Sequence, residues 1–152
     1  MRHIWHWLPM ILVVAVIFIL SDIPNLHLYD DKALSPFWKD IVKKYTFRIG
    51  TKGFFSYVIS PHPDFILHKL GHMAVYAALG AATFLTTKRA GVAVLLSMLY
   101  AVADEIHQGF VAGRSCRFWD MALDTVSAMI AIWLLQRYLQ KRAEAKRHEL
   151  QD

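Results

Sequence analysis

Four stretches of this sequence are both apolar enough and long enough to leave water altogether, and nothing else constrains the fold as much. Crossing a hydrocarbon core takes roughly 20 residues of helix. The runs at about 4–20, 65–87, 91–111 and 118–139 approach or meet that length. Composition agrees, because 56% hydrophobic and 13% aromatic residues exceed what a soluble domain needs for its interior. The expected fold is all-α: one domain over residues 1–152, a four-transmembrane-helix bundle with a long loop at 21–64 and a basic tail at 140–152.

The opening "MRHIWHWLPMILVVAVIFILSDIP" begins like a secretory signal. Phe18, Ile19 and Leu20 stand where small cleavage-site residues belong, and further apolar runs follow, so it reads as an uncleaved anchor. The turns at 88–91 and 112–117 are short, which forces the last three runs to pack as antiparallel neighbours. Within the long loop, "SPFWKDIVKKY" gathers Phe37, Trp38, Ile41, Val42 and Tyr45 on one helical arc and its charges on the other. Ser35 and Pro36 fit its cap and first position, and the pattern predicts a helix lying on the bilayer surface. The next segment, "TFRIGTKGFFSYVI", admits either a small hairpin about Gly50 to Gly53 or an irregular interfacial loop.

Against this background "DEIHQGFVAGRSCRFWD", residues 104–120, is anomalous. A charged side chain in hydrocarbon costs about 2.5–3.5 kcal/mol, so such clusters read as functional by default. At 100° per residue, His68, His72, Tyr76 and Thr83 share one face of the second run; Tyr100, Asp104, His107 and Gln108 cluster on the third, with Glu105 at its margin; Asp120, Asp124 and Ser127 line the fourth. Because direction alternates, all these groups fall at one level, joined by Ser21 and Asp22. At 1.5 Å per residue the deepest, Asp104 and Asp124, lie only about 10–15 Å below the surface. The expectation is a polar pocket open to one side of the membrane.

Charge places that side by a narrow margin. With the N-terminus inside, Arg2, Lys88, Arg89, Arg137, Lys141, Arg142, Lys146 and Arg147 are cytoplasmic, and an equal number of basic residues lies outside. The compact "KR" turn and the basic tail sit close to the ends of their runs, while Asp22, Asp30 and Asp31 follow the first run. These features favour cytoplasmic termini and an outward pocket in a multi-pass cell-membrane protein. Since the net charge of +5 sits largely in flanks and tail, nucleic acid is not an expected partner. The single Cys116 closes no disulfide within the chain.

"DEIHQGFVAGRSCRFWDMALDTVSA" resembles the signature of the VanZ-like membrane proteins, with its acidic pair, glutamine, Gly-Arg turn and downstream Asp; "HKLGHMAVYAALG" and "ILSDIP" are similar to that family's second-span and first-span motifs. The chain departs from the pattern at His68, where the family usually has Asp, and at Asp124, where Asn is common. The resemblance implies a small bacterial membrane protein whose namesake is associated with resistance to the glycopeptide teicoplanin. Its expected ligand is a cell-envelope lipid, a lipid-linked wall precursor or the antibiotic itself.

The residues expected to bind that ligand are His72, Tyr76, Asp104, Glu105, Gln108, Arg114, Asp120 and Asp124. Arg114, beside Gly113, can grip a phosphate or carboxylate with two parallel hydrogen bonds, or instead pair with Asp104, Glu105 or Asp120 to fasten the turn. The alternative function is an enzyme using Asp104 and Glu105 as acid and base. A third reading makes the cluster helix glue. No cofactor is expected. His68 and His72, at i and i+4, come nearest to a metal set, completed by Glu105, Asp120 or Asp124; otherwise His72 bonds Glu105 or Asp104.

Overall fold

The computed structural model describes residues 4–24, 26, 29, 31–50 and 53–150. Arg2, Asp30 and Lys52, which entered the charge balance, lie outside the described residues. The elements run α1 (Leu8–Ser21), α2 (Pro36–Tyr45), β1 (Phe47–Ile49), β2 (Tyr57–Ile59), α3 (Pro63–Thr87), α4 (Ala90–Gln108) and α5 (Phe118–His148). β1 and β2 pair antiparallel with Phe47 opposite Ile59, so the segment after α2 is a hairpin rather than an irregular loop.

Three helices, α3, α4 and α5, are long and apolar enough to cross a membrane. α1 is as apolar but has only 14 residues, about 21 Å of helix against a core of about 30 Å. The first run was expected to be helical from residue 4; Ile4–His6 instead forms a separate 3-10 turn ahead of Pro9. At the other end of the chain α5 passes straight through residue 139 and carries the basic tail to His148, about 46 Å in all. α4 stops at Gln108, short of the expected 111, and the chain then turns through Gly113 at φ +79°.

Local chemistry explains these boundaries. Pro36 and Pro63 occupy first helical positions, where a missing N–H costs nothing. The Ser35 hydroxyl and the His62 ring each accept a backbone N–H from the first turn of the helix they precede. Lys88 closes α3 at φ +57°, a left-handed conformation that glycine adopts more readily, and extended Arg89 sends α4 straight back. Buried or half-buried hydroxyls inside the helices return to their own backbone, as Thr83 does to the Leu79 carbonyl and Ser127 to the Leu123 carbonyl.

The packing is inverted relative to a water-soluble bundle. Leu12, Phe18, Leu70, Leu99, Ile130 and Trp133 face outward, whereas Ser97, Asp104, Glu105 and Asp124 are buried. Outward apolar faces on every long helix suit a surrounding of lipid. One apolar cluster, Ile17, Tyr76, Leu79 and Ala101, joins α1, α3 and α4; another, Phe84, Ala93 and Ile132, joins α3, α4 and α5. α3 and α5 touch backbone to backbone at Gly80, where a Cβ would stand 2.6 Å from the Ala128 carbonyl oxygen. Such small-residue contacts let helices approach where no hydrophobic force drives them together.

Candidate functional site

The ends of α1 and α4 meet the starts of α3 and α5, which brings the polar stripes of four helices to one level. The opposite end of the bundle is tied separately, by the Thr86 hydroxyl donating to the His6 carbonyl at 3.0 Å. The site divides into two connected centres.

The first is a hydrogen-bonded relay across α1, α3 and α4. Tyr76 Oη donates to Asp104 Oδ2 at 2.9 Å, and Gln108 Nε2 donates to the same oxygen at 2.9 Å. Gln108 Nε2 also reaches the Ser21 hydroxyl at 3.2 Å. All four side chains are buried. From the turn between α4 and α5, Arg114 donates to the Leu20 carbonyl at 2.9 Å and, at 3.5 Å, to Gln108 Oε1. Leu20 lies in the last turn of α1, where carbonyls lack a partner within the helix, so Arg114 acts as its cap. Of the two alternatives for Arg114, the pairing with Asp104, Glu105 or Asp120 gives way to these neutral acceptors, and its buried Nε has no hydrogen-bond partner.

Deeper toward α5 lies the second centre, where His72, Glu105 and Asp124 converge with one potential ligand atom from each within 4.8 Å of the others. His72 Nδ1 is 3.2 Å from Asp124 Oδ2, not from Glu105 or Asp104. Glu105 Oε2 accepts the Arg117 backbone N–H at 2.9 Å. Glu105 was expected at the margin of its stripe but is only 1% exposed. α4 is flanked on both sides, so Asp104 and Gln108 serve α1 and α3 while Glu105 serves α3 and α5. His107 instead sits outside the cluster, stacked on Phe18 at 5.1 Å.

Asp120 pairs with Lys69, whose ammonium also lies over the rings of Tyr57 and Phe65 at 5.3 and 5.4 Å. His68, expected beside His72, turns to its own first turn: Nδ1 is 3.1 Å from the Asp64 carbonyl oxygen and 3.6 Å from its carboxylate. The hairpin is fastened here too, with the Phe118 N–H on the Phe54 carbonyl at 3.0 Å and Trp119 Nε1 on the Phe55 carbonyl at 3.2 Å. Burial first, then the Asp120 carboxylate, holds the Tyr57 phenol above its usual value.

Between these groups lie two adjoining spaces. An apolar slot of about 180 Å³ runs past Ile17, Leu20 and Val75. A polar recess of about 300 Å³ is bordered by Lys69, Arg114, Arg117 and Asp120. Leu26, His68, His72 and Arg114 line both. Lys69 was not among the expected site residues. A lysine inside an apolar run was a signal in itself, but its partner 51 positions away was not legible.

Neither the curated proteins nor the solved structures offer a match to this chain. A protein-family comparison does: the VanZ/LLP1 model matches residues 6–139. That span takes in α1, α3, α4, the turn with Arg114 and all of α5 that bears the site, and the chain belongs to the VanZ/LLP1 family.

Proposed function

We propose that this protein binds an amphiphile with an anionic head, a cell-envelope lipid or a lipid-linked wall precursor, and thereby protects against teicoplanin-type glycopeptides. In this reading the chain crosses the cell membrane four times, with residues 4–7 extending α1 to a full crossing. Both termini are cytoplasmic, the recess opens outward, and α2 lies on the outer surface with Phe37 and Trp38 toward lipid.

One observation carries the ligand class: the apolar slot and the cation-bordered recess share a wall. A hydrocarbon chain fits the first and a phosphate or carboxylate the second, where Arg114 and Arg117 offer charge-assisted hydrogen bonds. The test compares a polyprenyl phosphate with the corresponding polyprenol by native mass spectrometry of the detergent-solubilised protein. The phosphate should bind at least about 10-fold more tightly, roughly 1.4 kcal/mol. Arg114→Ala should abolish that preference and Arg114→Lys should keep part of it. In cells, Arg114→Ala should lose glycopeptide protection at unchanged abundance in the membrane. Equal binding of the two polyprenyls, or protection that survives Arg114→Ala, would sink the reading.

An enzymatic alternative is favoured by the burial of Glu105 beside His72. Asp104 suits it poorly as an acid or base, because one of its oxygens already accepts from Tyr76 and Gln108. Glu105 would then be the general base, and Glu105→Gln should stop turnover of a lipid-linked phosphate by purified protein. No change in that substrate over wild-type protein removes the alternative.

A further inference from the structure

Two buried carboxylates packed together beside a half-buried histidine pose an electrostatic problem. Glu105 is 1% exposed and Asp124 0%, and Asp124 Oδ1 has no hydrogen-bond partner. An unpaired buried carboxylate oxygen is costly, and two such groups side by side repel each other. Lys69, which borders the same recess as His72, is already paired with Asp120.

We infer that His72, Glu105 and Asp124 hold a divalent metal ion of the zinc class. The three ligands come from three different helices, α3, α4 and α5, and their candidate atoms lie within 4.8 Å of one another. Small rotamer changes bring such a set to the bond lengths of about 2.0–2.2 Å that zinc makes with imidazole and carboxylate. The chemistry of the set selects the ion: one imidazole and two carboxylates suit zinc or manganese better than magnesium or calcium, which prefer all-oxygen shells. A cation here also gives Asp124 Oδ1 the partner it lacks. The Arg117 N–H already holds Glu105 Oε2 as an outer support, and His72 Nδ1 and Asp124 Oδ2, 3.2 Å apart, stand at about the separation of two ligands on one ion.

Three protein ligands leave a fourth position open, as in zinc sites that engage a substrate or water. His72 lines the polar recess, so that position is within reach of whatever occupies the recess. The assignment differs from the sequence expectation in one member, because His68 is held by Asp64 and Asp124 takes its place. It does not depend on which lipid the recess receives, since the ion alone is the probe.

The experiment uses full-length protein solubilised without chelators. Elemental analysis should find one zinc or manganese per chain, and removal by a chelator should lower the thermal unfolding midpoint, with zinc chloride restoring it. Asp124→Asn and Glu105→Gln keep the side-chain volumes and should each weaken zinc binding by at least about 100-fold, the upper end of what losing even an outer support costs. His148→Gln, in the exposed tail, should bind as the parent does and controls for loose surface binding. Substoichiometric metal in the parent together with no zinc-dependent shift in its midpoint would overturn the assignment. So would Glu105→Gln protein that binds zinc as tightly as the parent. A midpoint that responds to magnesium but not to zinc or manganese would reject the ion class.

Discussion

Buried Asp104 gathers two donors, Tyr76 and Gln108, on a single oxygen. Every polar side chain the sequence placed in an apolar run must either meet another polar group or carry a heavy desolvation penalty, which is why Tyr76, Asp104, Gln108 and Asp124 could be named in advance. Which of them pair depends on helix rotation, and a shift of one residue turns a side chain by 100°. That is how His68 and His72, drawn as neighbours on one face, ended with different partners, Asp64 and Asp124. Tyr76→Phe tests the relay directly. It removes one donor from buried Asp104 while Gln108 keeps its own bond to the same oxygen. The loss should therefore fall at the low end for a stranded buried acceptor, about 1 kcal/mol, read as a lower unfolding midpoint in detergent. Intramembrane hydrogen bonds are often worth less than that, so an unchanged midpoint would show that Gln108 alone satisfies Asp104.

The elements themselves were read well wherever length and periodicity agreed. α3, α4 and α5 follow the apolar runs closely, and the cap at Ser35 opens α2 as the sequence suggested. The misses sit at the ends. α4 stops at Gln108 with Gly109 as its C-cap, a signal that the expected bound at 111 passed over, and the chain turns again through Gly113. The hairpin was an open alternative because three-residue strands carry little pattern; its stability comes from docking, with aromatic contacts such as Phe54 to Phe118 at 6.1 Å and Tyr57 to Trp119 at 6.4 Å. Helix spacing yields a sharper prediction. Gly80 has no room for a methyl group against Ala128, and the obstacle is backbone rather than a yielding side chain. Gly80→Ala should push α3 from α5 and cost about 1–3 kcal/mol despite the better helix propensity of alanine. Gly71→Ala is its control, since a Cβ there meets nothing within 4 Å and should be tolerated or slightly stabilising.

For the whole molecule, alternation of direction does the organising. The chain leaves α1 and enters α3 at the same end of the bundle at which α4 hands over to α5, so the loop between α1 and α3, with its hairpin, lies on the side of the recess. The Lys88–Arg89 turn lies at the other end. The fold thus separates two kinds of surface that the basic residues, nearly equal in number on the two sides, left almost balanced in the sequence. Cys116 is the reporter for which surface faces out, since it sits in the turn beside the recess. Its thiol is held above the ordinary value, first by burial and then by the Glu105 carboxylate, so a smaller fraction is thiolate at neutral pH and its reaction with maleimide should be slow there and faster as pH rises. With the termini inside, a membrane-impermeant maleimide at mildly alkaline pH should label Cys116 in intact cells. Lys88→Cys in a Cys116→Ser background should react only after the membrane is opened. The reverse pattern would put the recess on the cytoplasmic face. It would leave the proposed lipid site intact but remove it from any contact with an extracellular antibiotic, so the proposed protection would then have to act through the supply of a precursor rather than at its point of attack.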